Sequence, residues 1–447
     1  MNYLQSFRAF VFAVACAAAF VPATAHAGAS ILVEVDTGKV LRAENATYPW
    51  YPASVTKLMT LYTTLQAVKQ GRITFDTLFT VSRNAVAQSP TKMGYAVGTQ
   101  VTVDNALKMM MVKSANDMAV LLAEGVDGSI ESFSDDMTQT AHRIGMTQSN
   151  FVNPNGLPAD GQIVSARDLA ILARALIHDF PEYNFYWHIP AIKYGRRIVR
   201  NYNTLLGRYP GADGMKTGFI CASGFNLVAT ATRNGKQLIA VVLGASSGGG
   251  RAVKAAELLE SGFTQNPLGW LTPALGTVDA LTPIAADPPN LHDQICSGSG
   301  HRKRAPAEDE DMDAGGETAG GENTPFSALL SSLRAPIPKG SALLNDFGAI
   351  TPVAVYTGPT RTAEQLAKMA VIEEAEPHHK KKGKGAATAA KEEKAGDTDA
   401  KSEAKSDVKP AAKPEPKAAA EKPKKPPQHK AAKAEPAPTS KPAPAAQ

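Results

Sequence analysis

The sequence predicts an α+β fold in which both ends of the folded region contribute strands to one antiparallel sheet and a helical subdomain is inserted between them. Residues 30–43 have the composition of a hairpin, residues 55–177 carry apolar side chains at helical spacing, and residues 225–243 return to strand composition. This order differs from the regular strand–helix alternation of a parallel sheet. A largely disordered C-terminal extension is expected to follow, because the chain becomes rich in Pro, Gly, Ala, Lys and Glu beyond residue 285.

The folded region is expected to begin with a hairpin and a long helix. Residues 30–35 and 40–43 are predicted strands, and Asp-Thr-Gly-Lys at 36–39 is a turn signal. Apolar side chains then recur at helical spacing over residues 55–70. Ser54 therefore stands at the first turn of the first helix.

The same kinds of pattern predict the elements in the middle and at the end of the folded region. Asp104 is expected to cap a helix that carries Ala106, Leu107, Met110 and Met111. The other predicted helices cover residues 117–124, 130–144, 166–177 and 252–263. The predicted strands 225–232 and 237–243 are joined by Arg-Asn-Gly-Lys, which is a strong hairpin turn.

The N-terminus has the pattern of an export signal. Arg8 supplies a positive charge, residues 9–20 are apolar, and Ala25-His26-Ala27 fits a small-x-small cleavage site. We expect residues 1–27 to be removed and the protein to be periplasmic and soluble, or secreted. A lipoprotein signal through Cys16 fits the pattern less well. The apolar run is too short for a comfortable membrane span, and no later segment reaches that length.

Charge and cysteine content exclude several classes of protein. The net charge of +5 averages two unlike halves of the chain, so it indicates no particular partner, and no nucleic acid is expected. Removal of the signal leaves Cys221 and Cys296, too few for a disulfide scaffold. Cys221 is most simply a small core residue, although a bridge to Cys296 is allowed in an exported protein. No Cys/His cluster has the spacing of metal ligands, so no metal or other cofactor is expected.

Ser54 and Lys57 are the first candidate catalytic pair. Residues three apart share one face of a helix, so Lys57 can lie beside the Ser54 hydroxyl at a helix N-terminus. A serine becomes a useful nucleophile when a base takes its proton, and a lysine whose pKa is lowered by burial or by a nearby cation can be that base. Ser89 and Lys92 have the same spacing, but no apolar period surrounds them.

Two further motifs follow in order along the chain. Ser114-Ala115-Asn116 lies between two predicted helices, and Lys216-Thr217-Gly218 opens the C-terminal strands. Taken alone, Ser114 could be a helix cap and Lys216 a lysine at a strand edge. The ordered set of Ser-x-x-Lys, Ser-x-Asn and Lys-Thr-Gly is far more specific than any one of them.

This set resembles the signature of penicillin-binding proteins and serine β-lactamases. The surrounding residues 51–60, 113–117, 151–157 and 214–218 look like those of low-molecular-mass D-alanyl-D-alanine carboxypeptidases. The resemblance covers residues 28–265 and implies a β-lactamase/transpeptidase-like fold. It also implies a penicillin-sensitive serine carboxypeptidase that acts on peptidoglycan stem peptides in cell-wall remodelling, with β-lactams as inhibitors.

The resemblance assigns a role to each residue of the first two motifs. Ser54 would attack the carbonyl of the penultimate D-alanine, and Lys57 would accept its proton. Ser114 would relay a proton to the departing amine, and Asn116 would hold Lys57 and the substrate amide.

The third motif would bind the end of the substrate. The resemblance implies that Lys216 and Thr217, with Gly218 beside them, bind the terminal carboxylate. The backbone N–H groups of Ser54 and Phe219 would form the oxyanion hole. The charge of Lys216 would also help to keep Lys57 neutral.

Three other functions share part of this pattern. A class A β-lactamase usually adds Glu-x-x-x-Asn after the second motif, and no glutamate between Asn116 and Lys216 has an asparagine four residues later. An endopeptidase that cuts D-alanyl cross-links needs the same residues and stays open as an alternative. A non-catalytic wall-binding protein would be expected to lose Ser54 or Lys57.

The chain beyond the catalytic region is predicted from composition. Residues 266–342 have the composition of a linker, and residues 343–375 form either a small module or a docking segment. Residues 376–447 form a Lys/Ala/Pro-rich tail without an apolar face, which we expect to stay extended. Its basic clusters predict at most weak, salt-sensitive contact with anionic wall polymer or lipid.

Overall fold

The computed structural model describes residues 28–264, 274–297 and 340–368. The predicted signal peptide, the acidic and basic runs between residues 301 and 322, and the tail from residue 376 lie outside these ranges. No helix in the described ranges is long and apolar enough to cross a membrane. The same ranges contain no group of three or more His, Cys, Asp or Glu residues able to hold a metal ion.

A five-stranded antiparallel sheet joins the two ends of the folded region. Its strands are β1 (Ala29–Glu34), β2 (Val40–Glu44), β7 (Ala212–Ile220), β8 (Gly224–Arg233) and β9 (Lys236–Ala245), in the order β2-β1-β9-β8-β7. The N-terminal strand β1 pairs with β9 from Ala29–Leu243 to Glu34–Leu238. The predicted sheet built from both chain ends is therefore confirmed.

A helical body is inserted between β2 and β7. Its helices are α1 (Lys57–Lys69), α2 (Arg83–Ala87), α3 (Val103–Lys113), α4 (Asn116–Asp127), α5 (Ile130–Arg143), α6 (Ala166–Asp179) and α7 (Phe185–His188). Short 3₁₀ turns at Ala53–Thr56 and Pro181–Tyr183 precede α1 and α7. The predicted helices are present, with ends that differ by a few residues.

Two small sheets border the helical body. One pairs β3 (Leu78–Thr80) with β4 (Gln100–Thr102), and the other contains β5 (Ala191–Tyr194), β6 (Arg197–Arg200) and β10 (Val353–Ala354). The helix α3 is capped by Thr102, whose hydroxyl accepts a hydrogen bond from the N–H of Asn105. The prediction that Asp104 is the cap is wrong; Asp104 lies in the first turn and pairs with Lys108. Either residue type can cap a helix, so the sequence left open the choice between Thr102 and Asp104, two positions apart.

Alternate residues of the sheet face two hydrophobic cores. Ile31, Val33 and Val241 belong to the core that the sheet shares with the helical body. Leu32 and Val242 belong to the core under α8 (Gly248–Phe263), the closing helix. The side chains of neighbouring strand residues point to opposite faces, so both sides of the sheet are covered.

The segment 274–297 contacts the body although it lies in the stretch of linker composition. The buried Arg167 guanidinium donates to the carbonyl oxygens of Val278 and Asp279. Arg167 also pairs with the buried Asp168 carboxylate at 2.7 Å. Burial raises the pKa of Asp168, while hydrogen bonds from Ser149 and Gln148 and the Arg167 charge act in the opposite direction.

A disulfide bond joins Cys221, just after β7, to Cys296 in the short helix α9 (His292–Cys296). The interpretation of Cys221 as a plain core residue is therefore wrong. Leu291 explains the pairing, because its side chain is buried and its N–H donates to the carbonyl of Ala222. This contact brings α9 to the end of β7 and the two cysteines within bonding distance.

The last described segment, residues 340–368, also contacts the body. The strand β10 pairs in parallel with β5. The N–H of Tyr356 donates to the Asn105 side chain, and the N–H of Gly358 donates to the carbonyl of Gln100. In the structure this segment is attached by β-pairing and hydrogen bonds to the side of the body that contains α3.

Candidate active site

Ser54 lies in the 3₁₀ turn before α1 and is held there by the strands β7 and β8. The Asn226 side chain on β8 donates to the carbonyl oxygens of Tyr51 and Pro52, both at 3.0 Å. A β-carbon added to Gly218 would lie 2.8 Å from the Ser54 backbone nitrogen. The absence of a side chain at Gly218 therefore lets β7 approach the backbone of the candidate nucleophile.

Lys57 is fully buried and contacts the Ser54 hydroxyl. Its Nζ lies 3.0 Å from Ser54 Oγ, 2.7 Å from Asn116 Oδ1 and 2.7 Å from the carbonyl oxygen of Asn155. The last two oxygens are acceptors only. In a neutral lysine the two N–H groups would go to these acceptors, which leaves the nitrogen lone pair for the hydrogen of the Ser54 hydroxyl.

The second motif lies between α3 and α4, on the far side of Lys57 from the sheet. Ser114 ends α3 with a left-handed backbone (φ 59°) and is fully buried. Asn116 begins α4; its Oδ1 accepts from Lys57 while its Nδ2 donates to the carbonyl of Ser89. Asn116 thus positions the lysine, and its own amide is tied to the backbone near Ser89.

The third motif lies in the middle of β7. Lys216 and Thr217 are each 1% exposed, and Lys216 Nζ donates to the carbonyl oxygen of Thr217 at 2.9 Å. Phe219 pairs with Phe225 on β8, and their rings lie 4.2 Å apart. This packing fixes the backbone of β7 at the position where its N–H groups pass Ser54.

Two buried hydroxyls at the site have no hydrogen-bond partner within the described chain. They are Ser114 Oγ and Thr217 Oγ1. Buried polar groups are almost always hydrogen-bonded, so each exception needs an explanation. A bound substrate with polar groups between α3 and β7 would supply the missing partners.

Several residues that support the site were not identified from the sequence. The carbonyl of Asn155 holds Lys57, and the Asn155 side chain donates to Gln88. Asn226 secures the segment before Ser54, and Arg251 on α8 donates to the carbonyl of Gly218 at 3.3 Å. Residues 151–157 carried part of the family resemblance, which was the one sequence signal pointing to Asn155.

A half-buried histidine, His188, lies near the start of β7. Burial lowers the pKa of His188, and the nearby Asp213 carboxylate opposes this change. The adjacent Trp187 packs against Gly214, where an added β-carbon would lie 2.9 Å from the indole. α7 therefore supports the strand that carries Lys216.

Comparison with known proteins agrees with this geometry. The family model for D-alanyl-D-alanine carboxypeptidases, peptidase family S11, matches residues 16–247. The chain belongs to this family. The matched range contains all three motifs, both strands of the N-terminal hairpin and the whole helical body.

Relatives within the family have similar sequences over the same region. The D-alanyl-D-alanine carboxypeptidase DacD of Escherichia coli is 37% identical over 248 residues, which cover 54% of this chain and 64% of that protein. DacC of Escherichia coli is 39% identical over 244 residues, which cover 53% of this chain and 61% of that protein. The chain therefore spans less than two thirds of the length of either relative.

Solved structures of D-alanyl-D-alanine carboxypeptidases and penicillin-binding proteins share the fold. The DacD carboxypeptidase from Francisella tularensis has a TM-score of 0.52 at 30% identity, with coverage of 53% of this chain and 70% of that chain. Penicillin binding protein 5 from Haemophilus influenzae has a TM-score of 0.51 at 35% identity, with the same coverages of 53% and 70%. The expected β-lactamase/transpeptidase-like α+β fold is confirmed.

Proposed function

We propose that this chain is a serine-type D-alanyl-D-alanine carboxypeptidase that removes the terminal D-alanine from peptidoglycan stem pentapeptides. The observation that carries the proposal is the 3.0 Å contact between Lys57 Nζ and Ser54 Oγ, with two pure acceptors on the same amine. Family membership and the activity named for DacD and DacC support it. The catalytic domain is assigned to residues 28–265.

Acylation begins at Ser54. Its Oγ attacks the carbonyl carbon of the penultimate D-alanine while Lys57 Nζ takes the hydroxyl proton. The peptide C–N bond then breaks, and the departing D-alanine amine receives a proton through the Ser114 hydroxyl. Water hydrolyses the resulting ester, with Lys57 again accepting the proton, and Ser54 is restored.

Two groups of contacts stabilise the substrate and the transition state. Backbone N–H groups of Ser54 and Phe219 donate to the oxygen that becomes negative during attack. Lys216 and Thr217 bind the terminal carboxylate, which every substrate ending in D-Ala-D-Ala presents. The unpartnered Thr217 hydroxyl and the Lys216 ammonium supply the donors for this contact.

A β-lactam would acylate Ser54, and the resulting ester would be hydrolysed slowly. Its strained amide presents the carbonyl to the backbone N–H groups, and the carboxylate on its fused ring meets Lys216 and Thr217. The Glu-x-x-x-Asn pattern of class A β-lactamases is absent between Asn116 and Lys216, so no such glutamate activates water for rapid release. Among the functions that share the three motifs, this favours a penicillin-sensitive carboxypeptidase over a β-lactamase.

The covalent step is tested by intact-mass measurement after incubation with benzylpenicillin. The wild-type protein should gain the mass of one β-lactam, and Ser54→Ala should gain none. Ser89→Ala is the matched control, because Ser89 and Lys92 have the same spacing and Ser89 is exposed. Persistent labelling of Ser54→Ala would overturn the assignment of the nucleophile.

The substrate of this reaction lies outside the cytoplasm, which agrees with the predicted export signal at residues 1–27. Signal cleavage after Ala27 would release the enzyme into the periplasm, where stem peptides and β-lactams meet it. The basic tail adds at most a weak contact with anionic wall polymer or the membrane surface. Fractionation at low and high salt tests this localisation, and membrane association that survives high salt would contradict it.

A further inference from the structure

A groove of about 290 Å³ opens beside the candidate nucleophile. Four segments line it: Tyr51 and Pro52 just before Ser54, residues 156–160 with Gln162 in the loop that follows Asn155, Ile220 and Ala222 at the end of β7, and Asn290. The groove thus adjoins the segment that leads into Ser54. None of the residues of the three catalytic motifs lines it, although Tyr51, Pro52, Gly156 and Leu157 belong to segments that carry the family resemblance.

The wall at the end of β7 includes one residue, Asn290, from a segment beyond the matched family region. Asn290 lines the groove, and the next residue, Leu291, donates its N–H to the carbonyl of Ala222 at 2.9 Å. The disulfide between Cys221 and Cys296 joins the same two segments covalently. The Asn290 wall is therefore fixed to β7 by a covalent bond and a backbone hydrogen bond.

The direction of the substrate along β7 identifies what reaches this groove. The terminal carboxylate is assigned to Lys216 and Thr217, and the scissile carbonyl to the N–H of Phe219. A strand advances by about 3.3 Å per residue, so a peptide extended along β7 places its next residue upstream near Ile220 to Ala222. The side chain of that upstream residue therefore lies in the groove, between the loop that contains Asp160 and the wall that contains Asn290.

The groove is lined mostly by apolar side chains, with the amides of Gln162 and Asn290 and one negative group. Among the lining residues, Asp160 is the one carboxylate, and no lysine, arginine or histidine is present. Tyr51, Pro52, Leu157, Pro158, Ile220 and Ala222 supply apolar surface. An apolar stem that ends in an amine fits both features, because the stem covers the apolar surface and the amine meets Asp160.

We infer that this groove binds the side chain of the residue immediately upstream of D-Ala-D-Ala, and that Asp160 selects a side chain ending in an amine. The inference rests on the proposed function and specifies its substrate. Asp160 is a specificity-determining residue in this account and takes no part in bond cleavage. Asn290 completes the lining of the subsite, and its Oδ1 accepts a hydrogen bond from the N–H of His292 at 3.0 Å.

Two peptides that differ in one group test the selection of an amine. They are Nα-acetyl-L-lysyl-D-alanyl-D-alanine with a free side-chain amine and the same peptide with that amine acetylated. The wild type should have a kcat/KM about 3- to 5-fold higher for the free amine, as expected for an ion pair at an exposed carboxylate. Asp160→Asn should abolish this preference, chiefly through KM.

Asp135→Asn is the matched control, because Asp135 is an exposed carboxylate on α5 that does not line the groove. This variant should keep the wild-type preference. Equal kcat/KM values for the two peptides in the wild type, or an unchanged preference in Asp160→Asn, would overturn the inference while leaving the carboxypeptidase function intact. No release of D-alanine from either peptide by the wild type would overturn the proposed function and this inference with it.

The disulfide-held wall is tested with a substrate that lacks the upstream residue. In the Cys221→Ser/Cys296→Ser double variant, kcat/KM should fall several-fold for the lysyl tripeptide and stay unchanged for N-acetyl-D-alanyl-D-alanine. Asn290→Ser, which keeps a hydroxyl acceptor for the His292 N–H but shortens the wall and adds no charge, should show the same split if the double variant does not fold. Equal losses on both substrates would contradict the role of this wall.

Discussion

Gly156 lies directly against the main-chain carbonyl of Ala53, the residue before the candidate nucleophile. A β-carbon on Gly156 would fall 1.8 Å from that oxygen and 2.8 Å from Thr56 Oγ1. Gly156 also has a φ of 82°, and Ala53 has a φ of 50°. The loop that holds Lys57 through Asn155 and the turn that holds Ser54 therefore touch at their backbones, so the positions of the two candidate catalytic residues depend on one close contact.

Gly156→Ala should displace this contact and lower both stability and activity. We expect kcat/KM to fall at least about 10-fold, because a misplacement of about 1 Å can cost more than that. Gly128→Ala is the matched control: Gly128 also has a φ of 82°, but nothing lies within 4 Å of its β-carbon position. The control should lose only about 1–2 kcal/mol in urea unfolding and keep its kcat/KM. Similar kinetics in the two variants would show that the contact is unimportant.

Lys216→Ala should harm substrates that end in a carboxylate more than the corresponding amides. A hydrogen bond to a charged group contributes about 1.5–3 kcal/mol, so kcat/KM should fall on the order of 10- to 100-fold for the carboxylate alone. The ratio of the two substrates within one variant corrects for any partial loss of folded protein. Equal losses on carboxylate and amide would contradict the role of Lys216.

The rate of D-alanine release should rise from about pH 6 to about pH 9. The Lys57 amine can accept the Ser54 proton only after losing its own, so higher pH increases the active fraction. Lys57→Arg should be inactive over this range, because an arginine stays protonated. Lys92→Ala, which changes the lysine of the other Ser-x-x-Lys pair, should keep the wild-type profile. A flat profile in the wild type would remove the argument for a lysine base.

Asp168→Ala should destabilise the protein strongly without touching the catalytic pair. The change would leave the Arg167 guanidinium buried without its carboxylate, a situation that typically costs about 3–5 kcal/mol. Asp135→Ala, at an exposed position, should change the free energy of unfolding by no more than about 0.5 kcal/mol. Urea unfolding of the two variants measures the difference. A loss of the same small size in both would show that Arg167 finds other partners.

Local patterns were sufficient to predict the two hairpins of the sheet and the contact between Ser54 and Lys57. The hairpin at residues 30–43 and the Arg-Asn-Gly-Lys turn at 233–236 depend on neighbours in sequence, and so does the placement of Lys57 one helical turn after Ser54. Short-range geometry determines these features. They were therefore visible in the residue pattern before any tertiary contact was known.

The supporting contacts could not be predicted in the same way. Asn155 holds Lys57 through a main-chain carbonyl, an atom that every residue type possesses. The bond between Cys221 and Cys296 depends on where Leu291 docks, and Arg167 anchors Val278 and Asp279 across more than a hundred residues. Long-range docking decides these contacts, and composition alone described part of that region as a linker.

The most direct measurement is the release of free D-alanine from a stem pentapeptide ending in D-Ala-D-Ala by the purified mature protein. We expect D-alanine release by the wild type and by Ser89→Ala, and a loss of at least about a thousandfold in kcat for Ser54→Ala. Absence of release by the wild-type protein, or release by Ser54→Ala at the wild-type rate, would contradict the account.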